Sequence, residues 1–363
     1  MSVNLKLCRR TFLKLGAGFA LTAGLPRAHA EPAAPDPVPF GPPPQFDLVG
    51  DMLGTTLTYR TRQEETLLDV ARAFNLGYVE MINANRGVDH WLPGHDTPVT
   101  LPIGHLLPDA PRRGIVINLA DLRLYYFMAD GRTFSFAVGS GREGYRSPRG
   151  TTTVVRKVEN PTWYPTPGER RDNPDLPTAV PPGPDNPLGS HGIYLGWSGY
   201  IIHGTNNPWG VGRQISRGCI HCYPEGIAML YPLVPIGTPV RVVNQTVKLG
   251  WSTGRLWLEV SPTQDEIDKI EVGDPVTFEP IPELEAMVLK AAGDAAHVVD
   301  WNVVRKTAAE RSGVPIALTP VIADRVEPGA KTADAKPSPA GGPAARSPGR
   351  AAATPAAQPS GLY

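Results

Sequence analysis

The chain has 363 residues, with 35 lysines and arginines against 35 acids, and only three cysteines. At roughly 100–200 residues per domain, two or more domains are expected, and a chain this long buries a core without a disulfide framework. A formal charge of zero gives no electrostatic reason to expect nucleic acid as a partner.

Arg9-Arg10-Thr11-Phe12-Leu13-Lys14 is a twin-arginine pattern, with Cys8 where Ser or Thr is usual. The apolar stretch from Leu15 to Leu25 and the small-x-small trio Ala28-His29-Ala30 follow. Together residues 1–30 read as an export signal, which predicts a mature protein in a bacterial periplasm. The apolar stretch falls short of the roughly 20 residues a membrane span needs, and no later stretch approaches that, so no transmembrane anchor is expected in the mature chain. Cleavage removes Lys6, Arg9, Arg10, Lys14 and Arg27 and no acid, leaving a net charge of −5. It also removes Cys8, so Cys219 and Cys222 are the remaining thiols. Residues 31–54 begin as a proline-crowded, solvated spacer, Glu31 to Pro44.

Residues 55–103 form a small unit of their own. Leu57-Thr58-Tyr59 predicts a strand, and Leu67, Val70, Ala71 and Phe74 stand at helical spacing within Thr66 to Phe74. A second short helix, Tyr78 to Asn83, and a closing strand, Val99 to Pro102, complete a βααβ order. This order resembles the LysM module, which binds the N-acetylglucosamine-containing glycans of the bacterial wall. Glu64-Glu65-Thr66-Leu67 stands where that family usually has Gly-Asp-Thr-Leu, at the loop that shapes the sugar groove. A degenerate module serving only as a spacer is the other reading.

From residue 110 to 245 the pattern turns to strands. Ile115 to Asn118 and Arg123 to Met128 are followed by Ala129-Asp130-Gly131-Arg132, whose Asp-Gly pair is a strong hairpin signal. Phe134 to Val138, Thr151 to Val158, Gly192 to Leu195, Tyr200 to His203 and Thr238 to Val243 continue the series. Pro224 can open a helix in which Ile227, Leu230 and Tyr231 share a face. The fold class is therefore mainly β, with one helix beside a cysteine-bearing turn. Between Asn160 and Gly189 nine prolines predict an ordered loop rather than helix or sheet, a lid or substrate wall on one reading and a surface wrap on the other. Residues 326–363, rich in Ala, Pro, Gly and Ser, cannot bury enough apolar surface to offset chain entropy and read as a disordered tail.

His203-Gly204-Thr205, a short polar loop and Ser216-Arg217-Gly218-Cys219-Ile220-His221-Cys222 carry the chemistry. A neighbouring imidazole and a helix N-terminus would lower the Cys219 thiol pKa and favour the nucleophilic thiolate. His203, Cys219, His221 and Cys222 also have the types and number of ligands for zinc, which would make this region a structural knot in a wall-binding protein. That reading leaves Ser216 and Gly218 unexplained, and no metal or other cofactor is expected. Cys219-x-x-Cys222 alone fits a thiol-disulfide oxidoreductase, but the surroundings lack the βαβ pattern such an enzyme needs. In an oxidising compartment the two thiols could pair and silence the site; alternatively Cys222 fills an apolar position.

Gly139-Ser140-Gly141, Ser147-Pro148-Arg149-Gly150-Thr151, Pro181 to Gly189, Ile202 to Thr205 and Ser216 to Ile220 resemble the L,D-transpeptidase catalytic domain, also called the YkuD domain. The resemblance is strongest to its LysM-bearing periplasmic subgroup. It implies a catalytic β-sandwich, and it extends to a C-terminal α+β extension, residues 246–322, that includes Arg311-Ser312-Gly313-Val314-Pro315. It further implies a reaction on peptidoglycan stem peptides and glycan strands. Cys219 would attack the third stem residue and release D-alanine, with His203 as general base and acid. The Gly204 carbonyl would hold the second imidazole nitrogen, backbone N–H groups around Gly218 and Cys219 would stabilise the oxyanion, and Ser216 would shape the turn. The family commonly has His where Arg217 stands and Arg where His221 stands, so Arg217 is a candidate for a substrate carboxylate or the oxyanion region, and His221 is left without a role. The acceptor would be a lysine of an outer-membrane lipoprotein, a second stem, or water in a carboxypeptidase; the Pro181–Gly189 run resembles the lipoprotein-attaching kind.

Overall fold

A computed structural model describes residues 48–326. The twin-arginine segment, most of the proline-rich spacer and the Ala/Pro-rich tail lie outside the described residues. Leu48–Val49 (β1) and Met52–Leu53 (β2), which composition assigned to the spacer, form a small antiparallel sheet. Leu53 is fully buried against Val116 and Tyr125. Proline density ends before Leu48, and the apolar pair Met52–Leu53 has a core to enter.

Leu57–Arg60 (β3), Leu67–Ala73 (α1), Tyr78–Ala84 (α2) and Pro98–Leu101 (β4) stand in the βααβ order read from the sequence, with β3 and β4 antiparallel. Thr66 caps α1 by accepting from the Asp69 N–H at 3.1 Å, and Asp69 reaches back to the Thr66 N–H at 3.0 Å. His105–Leu106 (β5) then joins β2.

Gly114–Asn118 (β6), Arg123–Phe127 (β7), Thr133–Gly141 (β8), Gly150–Glu159 (β9), His191–Leu195 (β10) and Ile201–His203 (β11) form the main sheet with Gln214–Ser216 (β12), Ile220–Cys222 (β13) and Pro239–Val243 (β14). Their order is β12-β8-β13-β11-β10-β9-β14-β6-β7, and β7 also pairs with β8. The nine-residue β8 makes this closure. Its Thr133–Ala137 part pairs with β7, and from Val138 it pairs with β13. The two layers of the expected sandwich are thereby joined through one strand. Their inner faces meet at Phe136, Ile193, Ile202, Ile220 and Cys222. Helix Pro224–Leu233 (α4), opened by Pro224, adds Ile227 and Leu230 to this core.

The proline-rich segment is not helix-free as its composition predicts. Pro167–Asp172 (α3) is a short helix, because Pro167 sits at its first turn, where no N–H is needed, and Thr166 and Glu169 form a capping box. Trp163 and Val180 exchange reciprocal backbone bonds of 2.9 Å at the base of the same segment.

Val247–Ser252 (β15), Arg255–Val260 (β16), Gln264–Val272 (α5), Leu284–Ala292 (α6), Trp301–Glu310 (α7) and Ile316–Ala317 (β17) form the α+β arrangement expected after the main sheet. It has its own core at Leu256, Leu258, Val288 and Val304. Among the described residues no helix is long and apolar enough to cross a membrane.

One contact ties the βααβ unit to the segment between the two catalytic motifs. The Tyr78 and Val79 N–H groups, at the start of α2, donate to Val211 and Gly212 carbonyls at 3.1 Å each. Gly77 and Gly212 meet so closely that a Cβ on Gly77 would stand 2.7 Å from the Gly212 Cα. Only glycine permits that approach.

Candidate active site

Strands β11 and β13 run parallel, with Ile202 opposite Ile220 and His203 opposite His221. Alternation along a strand then puts His203 and His221 on one face of the sheet and Ile220 and Cys222 on the other, with Cys219 immediately before β13. Cys219 lies one strand over from His203 and two residues along, a diagonal of about 8 Å between Cα atoms at ordinary sheet spacings. The two motifs are therefore brought together, as their residue types required.

His203 is buried, and its Nδ1 lies 2.6 Å from the Gly204 carbonyl oxygen. A carbonyl only accepts, so Nδ1 carries the proton and Nε2 keeps its lone pair, the form a general base needs. Burial, reinforced by the nearby His221, lowers the His203 pKa to about 3, with the bond to Gly204 opposing. His203 is thus neutral at any pH near 7.

The thiol is not activated in the way the sequence suggests. Burial pushes the Cys219 pKa above its ordinary value; a backbone hydrogen bond at Ile201 pulls it back, and the carboxylate of Glu169 adds to the rise. The Cys219 Sγ points to the Gly199 carbonyl at 3.5 Å. Helix α4 starts only at Pro224, after β13, so its N-terminus is not at the thiol. The resting pair is a neutral thiol beside a neutral imidazole, and the proton must move as the thiol attacks. Alkylation of Cys219 by iodoacetamide in the free enzyme should accordingly keep rising with pH past 9. A rate plateau between pH 5 and 7, read by peptide mass spectrometry, would instead reveal a resting thiolate.

Ser216 shapes the turn by two bonds: its hydroxyl donates to the Cys219 carbonyl at 2.6 Å and accepts from the Gly218 N–H at 3.1 Å. This commits the Gly218 N–H, which the sequence offered to the oxyanion. Gly218 itself has φ +106°, and a Cβ there would meet the Tyr200 ring at 2.9 Å. Ser147, in a signature stretch with no role assigned from sequence, fastens the turn from outside. Its hydroxyl accepts from the Gly141 N–H at 3.0 Å and donates to the Gly218 carbonyl at 2.9 Å.

His221 is buried, with Nε2 2.9 Å from the Gly210 carbonyl and its ring 6.2 Å from that of His203. It braces the segment between the motifs. Cys222 is fully buried in the main core, its thiol raised to about 12 by that burial. Cys219 and Cys222 are both free, Cys219 partly exposed and Cys222 buried. The four residues whose types suited zinc form no metal-holding group among the described residues. Arg217 forms an ion pair with Asp172 of α3 and lies 4.3 Å over the Tyr145 ring. The sequence could not supply Asp172, because it stands 45 positions before Arg217, within the proline-rich segment.

A family model described as the L,D-transpeptidase catalytic domain, YkuD, matches residues 112–242. A probable L,D-transpeptidase ErfK/SrfK of Escherichia coli K12 is 37% identical over 286 residues, 77% of this chain and 89% of that protein. The probable L,D-transpeptidases YcfS and YbiS of the same organism are each 36% identical, over 68% of this chain and 78% and 81% of theirs. The chain belongs to the L,D-transpeptidase family. It is an enzyme, an acyltransferase of the peptidoglycan L,D-transpeptidase class. The matched residues of the family model contain both motifs, His203-Gly204-Thr205 and Ser216 to Cys219, and the Ser147 anchor.

Proposed function

We propose that this L,D-transpeptidase works in the periplasm and transfers the third residue of a peptidoglycan tetrapeptide stem from D-alanine to an acceptor amine. Cys219 is the nucleophile and His203 the base. The thiol proton passes to His203 Nε2 as sulfur bonds the scissile carbonyl carbon. The amide C–N bond then breaks, and His203 returns the proton to the departing D-alanine amine. Attack of the acceptor amine on the thioester forms the new amide and frees the thiol. The Gly204 carbonyl holds the imidazole tautomer, and the Cys219 N–H faces the oxyanion.

The observation that carries this reading is the parallel pairing of β11 and β13, which sets His203 opposite His221, two residues from Cys219, with Nδ1 of His203 engaged by its own neighbour's carbonyl at 2.6 Å. Amide is exchanged for amide, so no nucleotide is consumed, which suits an exported enzyme. The acceptor we favour is a lysine amine of an outer-membrane lipoprotein, on the likeness of the Pro181–Gly189 run to the attaching enzymes. Residues 55–103 would hold the glycan strand near the site, as a LysM-like module.

Incubating the purified protein with tetrapeptide muropeptides, with and without a lysine-bearing peptide, tests the proposal. A peptide adduct is the expected product. A dimeric muropeptide would move the acceptor to a second stem, a bare tripeptide would make the enzyme a carboxypeptidase, and unconsumed tetrapeptide would end the proposal.

A further inference from the structure

We propose that Arg217 and Arg142 form a carboxylate-binding subsite for the donor peptide, and that Asp172 fills that subsite in the free enzyme. The assignment rests on the donor role proposed above for this cleft.

The Arg217 side chain is only 15% exposed, whereas that of its partner Asp172 is 52% exposed. A guanidinium that is mostly buried needs a counter-charge, and its planar fork matches a carboxylate. Here the counter-charge comes from a side chain at the end of α3, on the rim of a cavity of about 280 Å³. Arg142, Trp163, Glu169, Asn173 and Arg217 line this cavity with Asp172.

Of the two acids in this lining, Asp172 is the one in ion-pair contact with a guanidinium among the described residues. Arg142 stands 5.1 Å over the Tyr145 ring that also carries Arg217, so one ring seats two guanidinium groups. The Arg142 N–H donates to the Ser216 carbonyl at 2.9 Å, which fixes its backbone to the reactive turn. Among the described residues Arg142 makes no ion pair. The Glu169 carboxylate caps α3 by accepting from the Thr166 N–H at 2.6 Å, and makes no ion pair among the described residues. Two guanidinium groups and two carboxylates thus line the cavity, and the paired guanidinium, Arg217, stands two residues before the nucleophile. A stem peptide presents carboxylates beside its scissile bond, and one of them replaces Asp172 like for like.

The segment carrying Asp172 is built for that exchange. Its base is fixed by the Trp163–Val180 bonds and by the Asn186 amide, which donates to the Pro161 carbonyl at 2.8 Å and the Val180 carbonyl at 3.0 Å. Near its far end it is held to the reactive turn through Asp172.

Two alkylating reagents of nearly equal size test this without any donor. Iodoacetate carries a carboxylate and iodoacetamide does not; both form a bond from Cys219 sulfur to carbon with loss of iodide. The ratio of their rates at Cys219, read by peptide mass spectrometry on the full chain, cancels changes in thiolate fraction and access. Asp172→Asn should raise the iodoacetate/iodoacetamide ratio about threefold or more, as removal of a competing charge from a partly exposed pair implies. Arg217→Gln should lower it below the parent value, and Asp172→Asn should then have no further effect. A ratio unmoved by Asp172→Asn, or raised equally in the Arg217→Gln background, overturns the subsite. Asp172→Asn should also lower KM for tetrapeptide donor, and a responsive ratio with unchanged KM overturns the donor assignment. A responsive ratio in a protein that consumes no tetrapeptide at all would fault the proposed function and leave the anion subsite standing.

Discussion

Cys219→Ala should abolish donor consumption, and His203→Gln should lower kcat by about a thousandfold while KM changes less than about threefold, the range a positioned general base supplies. The reason lies in the resting protonation state. A thiol held above its ordinary pKa has little thiolate at neutral pH, and His203, neutral because burial lowers it to about 3, is the base we assign to it. Glutamine keeps an amide that can donate to the Gly204 carbonyl but has no lone-pair nitrogen to accept the thiol proton. Both substitutions remove little volume, and unchanged thermal unfolding would show that the loss is chemical. The pH profile separates this account from a resting ion pair. If neutral His203 is the base, the acid limb of kcat/KM should lie near its low pKa, well below pH 6, because activity is lost only as pH falls through that value. Retention of a tenth of the activity by His203→Gln would remove His203 from the proton path.

The motifs that decide this chemistry were legible because their residue types are unusual together: a His-Gly-Thr closing one apolar run, and a Ser-x-Gly-Cys opening another. Their meeting was not legible. β11 and β13 are parallel neighbours, and a parallel pair needs a crossover whose path leaves no local pattern. The strand periods placed β6 through β11 within a residue or so at most ends, but β8 ran three residues past its expected end. Gly139-Ser140-Gly141 lacks the side chains of a typical strand, and it is held by β12 and β13 rather than by propensity. Helix α3 was hidden by proline content, although Thr166-Pro167 followed by Glu169 is a helix start on capping grounds. Asp172 was invisible for a different reason. An exposed acid at the end of a short helix has no sequence signature, and its significance lies wholly in facing Arg217.

Lys248→Ala should destabilise the fold by about 3–5 kcal/mol, the cost typical of removing one partner from a buried ion cluster. Lys248 is fully buried in β15 and lies 2.6 Å from both Asp121 and Glu259. Its retained charge is set by those two carboxylates, which outweigh the burial that would otherwise neutralise it. Asp121 lies just before β7 of the main sheet and also accepts from the Tyr125 hydroxyl at 3.0 Å. Glu259, on β16, accepts from the Leu106 N–H of β5 at 2.7 Å. One ammonium therefore joins the catalytic sheet, the C-terminal extension and the strand leading out of the βααβ unit. Removing it leaves two acids facing each other without a cation, and burial already raises Glu259 to about 7. For a domain of this size the loss corresponds to a fall of about 10 °C in melting temperature. Pairing Lys248→Met with Glu259→Gln should recover more than half of it, since an apolar chain then fills the space and one orphaned charge is gone. If Lys248→Ala cost less than about 1 kcal/mol, water would have to reach both carboxylates, and the three parts would not be locked through this cluster.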